Sequence, residues 1–261
     1  MSDGIGYVVT DQVATITLDR PEALNSLTNA MKVSLLATLQ NARGDEQVRA
    51  VVLTGAGRGF CVGQDLKEHA EGLAAGDKEL STVTEHYNPI IEAITSLPKP
   101  VIAAVNGMAA GAGASLALAC DIRIAADSAG FLMAFARVGL GPDSGASWTL
   151  QRLIGTGRAT AMLMLAEPVA ASQALEMGLV SAVVPAADLT SVVGALAIKL
   201  AAGPTVAYAA IKETIGFAAS HSLIESLAHE AEAQARCGVT ADHAKAVAAF
   251  LAKQTASFTG R

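Results

Sequence analysis

The sequence predicts an α/β protein, with a mostly parallel sheet and its helices over residues 1–200 and a helical region over 201–261. Three observations carry that prediction. Short apolar runs bounded by glycine or proline alternate with helical patterns through most of the chain, as βαβ units require. Strand signals then cease, and from Ala187 every pattern is helical. The composition, 52% hydrophobic and 16% charged in 261 residues, provides a sizeable core and is too apolar for a disordered chain.

The chain opens as a hairpin. Tyr7–Thr10 and Val13–Leu18 flank a polar Asp11-Gln12 turn, and the second strand alternates Val13, Thr15 and Thr17 against Ala14, Ile16 and Leu18. Asp19-Arg20-Pro21 ends it. Ser26 or Thr28 can cap a helix whose Met31, Leu35, Leu36 and Leu39 recur at helical spacing. Arg49–Thr54 is a buried strand closed by Gly55. A loop is expected from Gly55 to Asp65, then a helix up to about Leu97, stopped by Pro98-Lys99-Pro100. Pro100 to Cys120 carries no charge and is long enough to cross a bilayer. Its internal Asn106-Gly107 and Gly111-Ala112-Gly113 turns divide it instead into a strand, Val101–Val105, and a buried helix over Ala114–Ala119. Asp121–Ala126 is another strand. Ser147–Ile154, Arg158–Leu165 and Ser172–Met177 are short helical patterns, with one strand at Ser181–Val184. The helical remainder breaks at Gly203-Pro204, Ser220–Ser222 and Gly238–Thr240. No internal repeat is visible.

Charge and cysteine usage narrow the function. A net charge of −6 with few basic residues argues against nucleic-acid binding, which needs many phosphate-neutralising Lys and Arg. Cys61, Cys120 and Cys237 lack CxxC spacing, so neither a disulfide framework nor a metal site is expected. MSDGIGYVVTDQ has no apolar signal region, and a cytoplasmic protein without a membrane partner is expected.

Three motifs bear on chemistry. Two Gly-rich turns follow strands: Thr54-Gly55-Ala56-Gly57-Arg58-Gly59, and Asn106-Gly107 running to Gly111-Ala112-Gly113. Each misses the dinucleotide GxGxxG fingerprint, with Phe60 and Leu116 in the places of the third glycine. They fit two ordinary strand–helix turns, or two sets of backbone donors converging on one developing oxyanion. Gly141-Pro142-Asp143-Ser144-Gly145 is the third. Pro142 spoils a GxSxG elbow, and none of the five histidines lies in a partner motif for a Ser144 nucleophile. Asp143 remains either a helix cap or a general base.

Taken together and in order, these segments resemble the crotonase superfamily, the enoyl-CoA hydratase/isomerase family. The matching stretches are DRPEALNSLT (19–28), VVLTGAGRGFCVGQDL (51–66), KPVIAAVNGMAAGAGASLALACDIRIAA (99–126), GLGPDSGASWTLQRLIG (139–155), ALEMGLVSAVVP (174–185) and AFLAKQTASFTGR (249–261). The resemblance implies a spiral of ββα turns, a C-terminal helical region used in trimer contacts (homotrimer or hexamer), and an acyl-CoA thioester as substrate with no further cofactor. It places the oxyanion-hole N–H groups at Gln64 and Ala112, with Gly111 allowing close approach. Lys67 falls where such proteins meet the CoA nucleotide, and Ala23, Leu24, Asp65 and Leu66 fall along the CoA path.

The departures from the family pattern decide the expected reaction. Hydratases of the family use two glutamates, and the corresponding positions here are Ser115 and Phe135. Asp143 is the one carboxylate left in a family-type active position, and PDSGASW resembles the phenylacetate-pathway isomerase branch. The expectation is an isomerase in which Asp143 removes a proton and returns it to a different carbon, between apolar walls at Met133 and Phe135. The alternatives are a hydratase using Glu68, Glu71 or Glu85, a non-catalytic acyl-CoA-binding member, and a serine hydrolase built on Ser144. A dehalogenase-like use of Asp143 as nucleophile is a further one, and would want a His base where the sequence has Asn88, with His86 two residues earlier.

Overall fold

Asp11 and Gln12 both take positive φ, 50° and 62°, which gives the two-residue turn whose twist matches paired strands. β1 (Ile5–Thr10) and β2 (Val13–Leu18) therefore pair antiparallel in the register Ile5 to Leu18 and Thr10 to Val13. Residues 3–76 and 80–261 are described here by a computed structural model. Of the two caps offered for α1 (Asn29–Gly44), Thr28 is used, its side chain accepting from Met31 N at 3.2 Å. Lys99 closes the other end, donating to the carbonyls of Ala42 at 2.6 Å and Asp45 at 2.7 Å, where a cation suits the helix dipole.

β3 (Ala50–Gly55) follows, and then the first departure from expectation. The segment read as a loop contains a short strand, β4 (Gly59–Cys61). The helix expected from Asp65 to Leu97 is broken into α2 (Leu66–Ala74), a π-helical turn over Val83–Tyr87, and α3 (Asn88–Thr95). Gly76 at φ +98° ends the first piece, because no right-handed helix continues through that conformation; residues 77–79 of the expected helix lie outside the described residues. The uncharged stretch becomes β5 (Val101–Val105), β6 (Met108–Ala110) and α4 (Ala112–Ala119). Every residue of β5 and α4 is buried, which explains a helix apolar on all sides. Among the described residues no single helix is long and apolar enough to cross a membrane.

β7 (Ile122–Ala126) and β8 (Gly130–Leu132) repeat the pattern of one longer and one three-residue strand. Then come α5 (Ala146–Ile154), α6 (Thr156–Leu165), β9 (Val169–Ala170), α7 (Ala171–Met177), β10 (Ala182–Val184) and α8 (Leu189–Ala201). The larger sheet has the order β1-β2-β3-β5-β7-β10 and is parallel from β2 onward; the smaller has the order β4-β6-β8-β9. Each turn of the chain thus lays one strand in each sheet before entering helix, three times in succession. This is the ββα spiral that the family resemblance implies, although no sequence repeat announces it. α9 (Thr205–Ala218), α10 (Leu223–Gly238) and α11 (Ala241–Leu251) complete the chain. The buried Asp242 fastens the terminal strap, accepting from Thr259 N and Gly260 N at 2.7 Å each. Arg49, just before β3, holds the same strap through Phe258 O at 3.2 Å and the start of α9 through Thr205 Oγ1 at 3.0 Å.

Candidate active site

β4 and β6 are neighbours in the smaller sheet, and each leads into a candidate donor. β4 runs on through Gly63 to Gln64, and β6 through Gly111 to Ala112, the first residue of α4. Gly111 adopts φ +52° and ψ −126°, which side chains disfavour, and its N–H donates to Leu132 O at 2.8 Å. The two segments touch. A Cβ at Gly63 would lie 3.2 Å from Ala112 N, and one at Gly113 would collide with the Cys61 carbonyl.

Leu27 forms a parallel bridge with Gln64: Leu27 N donates to Gly63 O at 2.7 Å and Asp65 N to Leu27 O at 3.1 Å. In a parallel bridge the flanking residues make the bonds, so the Gln64 N–H faces away from Leu27. Among the described residues neither Gln64 N nor Ala112 N meets a protein acceptor. Two adjacent, unspent donors with a helix N-terminus behind one of them suit an anionic oxygen.

The Gln64 side chain is also fixed. Its Oε1 accepts from Lys32 Nζ at 2.9 Å and from Tyr87 Oη at 2.7 Å. Lys32 is fully buried on α1, bonds Asn29 Oδ1 at 2.8 Å and Thr82 Oγ1 at 2.6 Å, and sits 4.8 Å above the Tyr87 ring. Burial lowers its pKa to about 8, against the opposing pull of Glu68, Asp143 and Asp65. Asp143 is thereby within electrostatic reach of the group that grips Gln64.

Asp143 is half-buried just before α5. Burial raises its pKa, while a 2.7 Å hydrogen bond from Ser144 Oγ and the Lys32 charge pull it back down. The helix-cap alternative fails for both residues here. The cap of α5 is Gly145 at φ +71°, with no side-chain cap bond, so the Asp143 carboxylate is left for other work. Ser144 is buried at φ +52°, with its hydroxyl given to Asp143. The His86 ring bonds Thr82 Oγ1 at 3.2 Å, and among the described residues it makes no hydrogen bond to Asp143.

The other candidates fall in several places. Asp65 caps α2 through Lys67 N and Glu68 N at 3.1 Å each, and its other oxygen takes Arg20 Nη1 at 2.9 Å and Ser26 Oγ at 3.1 Å. The backbone bond at Glu68 is the main cause of its lowered pKa. Leu66 and Lys67 are exposed on α2, whereas Ala23 and Leu24 are half-buried at the end of the 3-10 turn Pro21–Ala23, with Leu24 at φ +49°. Met133 and Phe135 are buried in the hydrophobic core. Ser115 is buried on α4, and its hydroxyl turns back to Gly111 O at 3.2 Å. Glu68, one alternative hydratase acid, spends its carboxylate on Asn29 N at 2.8 Å. Among the described residues no group of His, Cys, Asp and Glu could hold a metal ion.

Sequence reasoning missed Lys32, Tyr87 and Asn25. Lys32 had a signal, since it stands on the apolar face shared by Met31, Leu35 and Leu39. Asn25, buried at φ 58°, donates to the carbonyls of Ala56 at 2.9 Å and Gly59 at 2.8 Å and accepts from Arg20 N at 2.9 Å. It staples the turn before α1 to the loop before β4, and nothing local in the sequence marks it.

Comparison with known proteins points one way at the level of family. Residues 9–261 match the family described as enoyl-CoA hydratase/isomerase. A Rhodobacter capsulatus protein named "Probable enoyl-CoA hydratase" is 48% identical, covering 98% of each chain. The 1,2-epoxyphenylacetyl-CoA isomerase of Escherichia coli is 44% identical over 95% of each. A Mycobacterium abscessus crystal structure described as an enoyl-CoA hydratase/isomerase superposes with a TM-score of 0.95 at 47% identity, covering 98% of this chain and all of that one.

Proposed function

The chain belongs to the enoyl-CoA hydratase/isomerase family, and from that premise we propose that it is an isomerase that moves a double bond in an enoyl-CoA thioester. The thioester carbonyl oxygen lies between the N–H groups of Gln64 and Ala112. Asp143 takes a proton from the acyl chain, and the electron pair of that C–H bond passes through the π system onto the oxygen as an enolate. The same carboxyl returns the proton to a different carbon and the carbonyl re-forms, so no water is added. Each donor contributes roughly 3–4 kcal/mol to such a transition state.

The observation that carries this reading is the solitary state of Asp143. Its carboxylate is half-buried, caps no helix and has a raised pKa that suits proton transfer. At the two positions where family hydratases are expected to carry glutamates stand Ser115, bonded to its own helix, and Phe135, in the core. Gly111, Met133 and Phe135 form the acyl side of the site, and Ala23, Leu24, Asp65, Leu66 and Lys67 follow the CoA. The helical region 201–261 assembles three chains or two sets of three, and the protein needs no cofactor beyond its CoA thioester substrate. Hydratase activity is the second reading, supported by the name of the 48% identical relative; binding without turnover is the third.

Incubation with a trans-3-enoyl-CoA in deuterated water separates them. Conversion to the 2-enoyl thioester, lost in Asp143→Asn, is the expected result, with retained protium showing direct return of the proton and deuterium showing its exchange on the carboxyl. A 3-hydroxyacyl product would establish hydration instead, and binding with neither product would leave a carrier role.

A further inference from the structure

Lys32 has no adequate structural explanation. Taking an ammonium out of water costs several kcal/mol, and buried ammonium groups are normally repaid by a carboxylate in contact. Here the three protons go to three neutral acceptors, Asn29 Oδ1, Gln64 Oε1 and Thr82 Oγ1, and the ring of Tyr87 covers one side. No carboxylate among the described residues forms an ion pair with it. A methionine of similar shape would fill this place on α1 without the desolvation penalty.

The acids around it account for the charge. Asp65 on the α2 side is already paired with Arg20, and Glu68 is bonded to Asn29 N. Tyr87 and Cys61 stay neutral, with pKa values pushed up by burial, that of Cys61 to about 12. His86 reaches Lys32 only through Thr82. Asp143 remains, and it is the one acid whose charge the proposed reaction removes. When it takes the substrate proton, the negative charge passes to the thioester oxygen at the Gln64 N–H. Lys32 feels the first location electrostatically and holds the side chain of Gln64, whose N–H serves the second.

We propose that Lys32 is a positioning residue for enolate formation: it pins the Gln64 side chain, and with it the aim of the Gln64 N–H, and keeps a positive charge beside that donor and within electrostatic reach of Asp143. This rests on the reading of Gln64 and Ala112 as the oxyanion donors. The negative charge therefore moves around a fixed cation and is never left without a counter-charge, which lowers the barrier without any contact between Lys32 and the substrate.

The test uses the full-length protein with hexanoyl-CoA carrying a 13C carbonyl, which binds without being isomerised, and reads the carbonyl stretch by difference infrared spectroscopy. In wild type the stretch lies below that of the free ester at neutral pH and moves back toward it as Lys32 loses its proton, with a midpoint near its pKa of about 8. In Lys32→Met the stretch stays at the high-pH position throughout. In Lys32→Arg, which keeps its charge, the step leaves the accessible range. An Asp143→Asn titration separates any step owed to Asp143. With a trans-3-enoyl-CoA, Lys32→Met lowers kcat by about tenfold to a hundredfold while KM stays within about twofold. If Lys32→Met does not fold, the wild-type titration still decides. A lowered stretch that is flat with pH, or a Lys32→Met protein with wild-type stretch and kcat, overturns the proposal and leaves the oxyanion reading standing. A stretch unmoved by binding at every pH overturns that reading and the proposal with it.

Discussion

Asp143 is held between two opposing influences, and each can be removed separately. On the proposed mechanism Asp143→Asn removes the proton shuttle, and the double-bond shift should fall by roughly 10²–10⁴-fold while CoA-thioester affinity persists, checked by turnover and calorimetry. The same change should stabilise the fold near neutral pH. A carboxylate whose folded pKa is raised stabilises the protein while protonated, and that contribution is lost as pH rises through the folded value. The melting temperature of Asp143→Asn should therefore exceed wild type at neutral pH and converge with it in acid. Ser144→Ala acts in the opposite sense on the pKa. Without the 2.7 Å hydrogen bond the carboxylate is harder to ionise, so the acid limb of kcat/KM should move to higher pH. The sequence marks Asp143 as a candidate without deciding its role, because cap and base share one residue type. Gly145 at the cap position separates the two.

At the scale of elements, β4 and α4 are pressed together at a glycine. Alanine normally favours a helix interior over glycine by about 1 kcal/mol, but at Gly113 the added methyl meets the Cys61 carbonyl. Gly113→Ala should lower stability by about 1–3 kcal/mol in urea titration and reduce kcat together with it, since the Gln64 and Ala112 segments must separate. Asn25→Ala should cost about 1–3 kcal/mol, because it removes the Asn25 amide from the carbonyls of Ala56, Gly59 and Phe60, of which Gly59 keeps the Asn106 amide. The strands of the larger sheet could be read from sequence because burial on both faces writes continuous apolar runs such as Val101–Val105. The smaller sheet could not. Its strands, GFC, MAA, GFL and VA, are too short to show a period, and their pairing is settled by partners far along the chain. Lys32, Tyr87 and Asn25 escaped notice for a related reason, since what each does depends on residues more than 20 positions away.

Over the whole molecule, apolar exposure gathers in the last three helices. Ile224 is 81% exposed, Phe250 82% and Leu251 77%, with a smaller exposed apolar pair at Met164 and Leu165 on α6. Patches of this kind mark association surfaces, and light scattering after gel filtration should find three chains or a multiple of three per particle. Ile224→Glu combined with Phe250→Glu should yield smaller particles with the far-UV spectrum retained. The placement of the two backbone donors has a different consequence. They follow closely on neighbouring strands of one sheet, so the spacing between strands, about 4.8 Å in any protein, anchors the two segments that carry them. Mutation alters side chains readily and main-chain spacing hardly at all. On the proposed mechanism, the half of the machinery that steadies a thioester is thus sheltered from sequence drift, while the half that moves protons hangs on one replaceable carboxylate. With such a division, evolution or a protein engineer would exchange the reaction and inherit the proposed enolate trap unchanged.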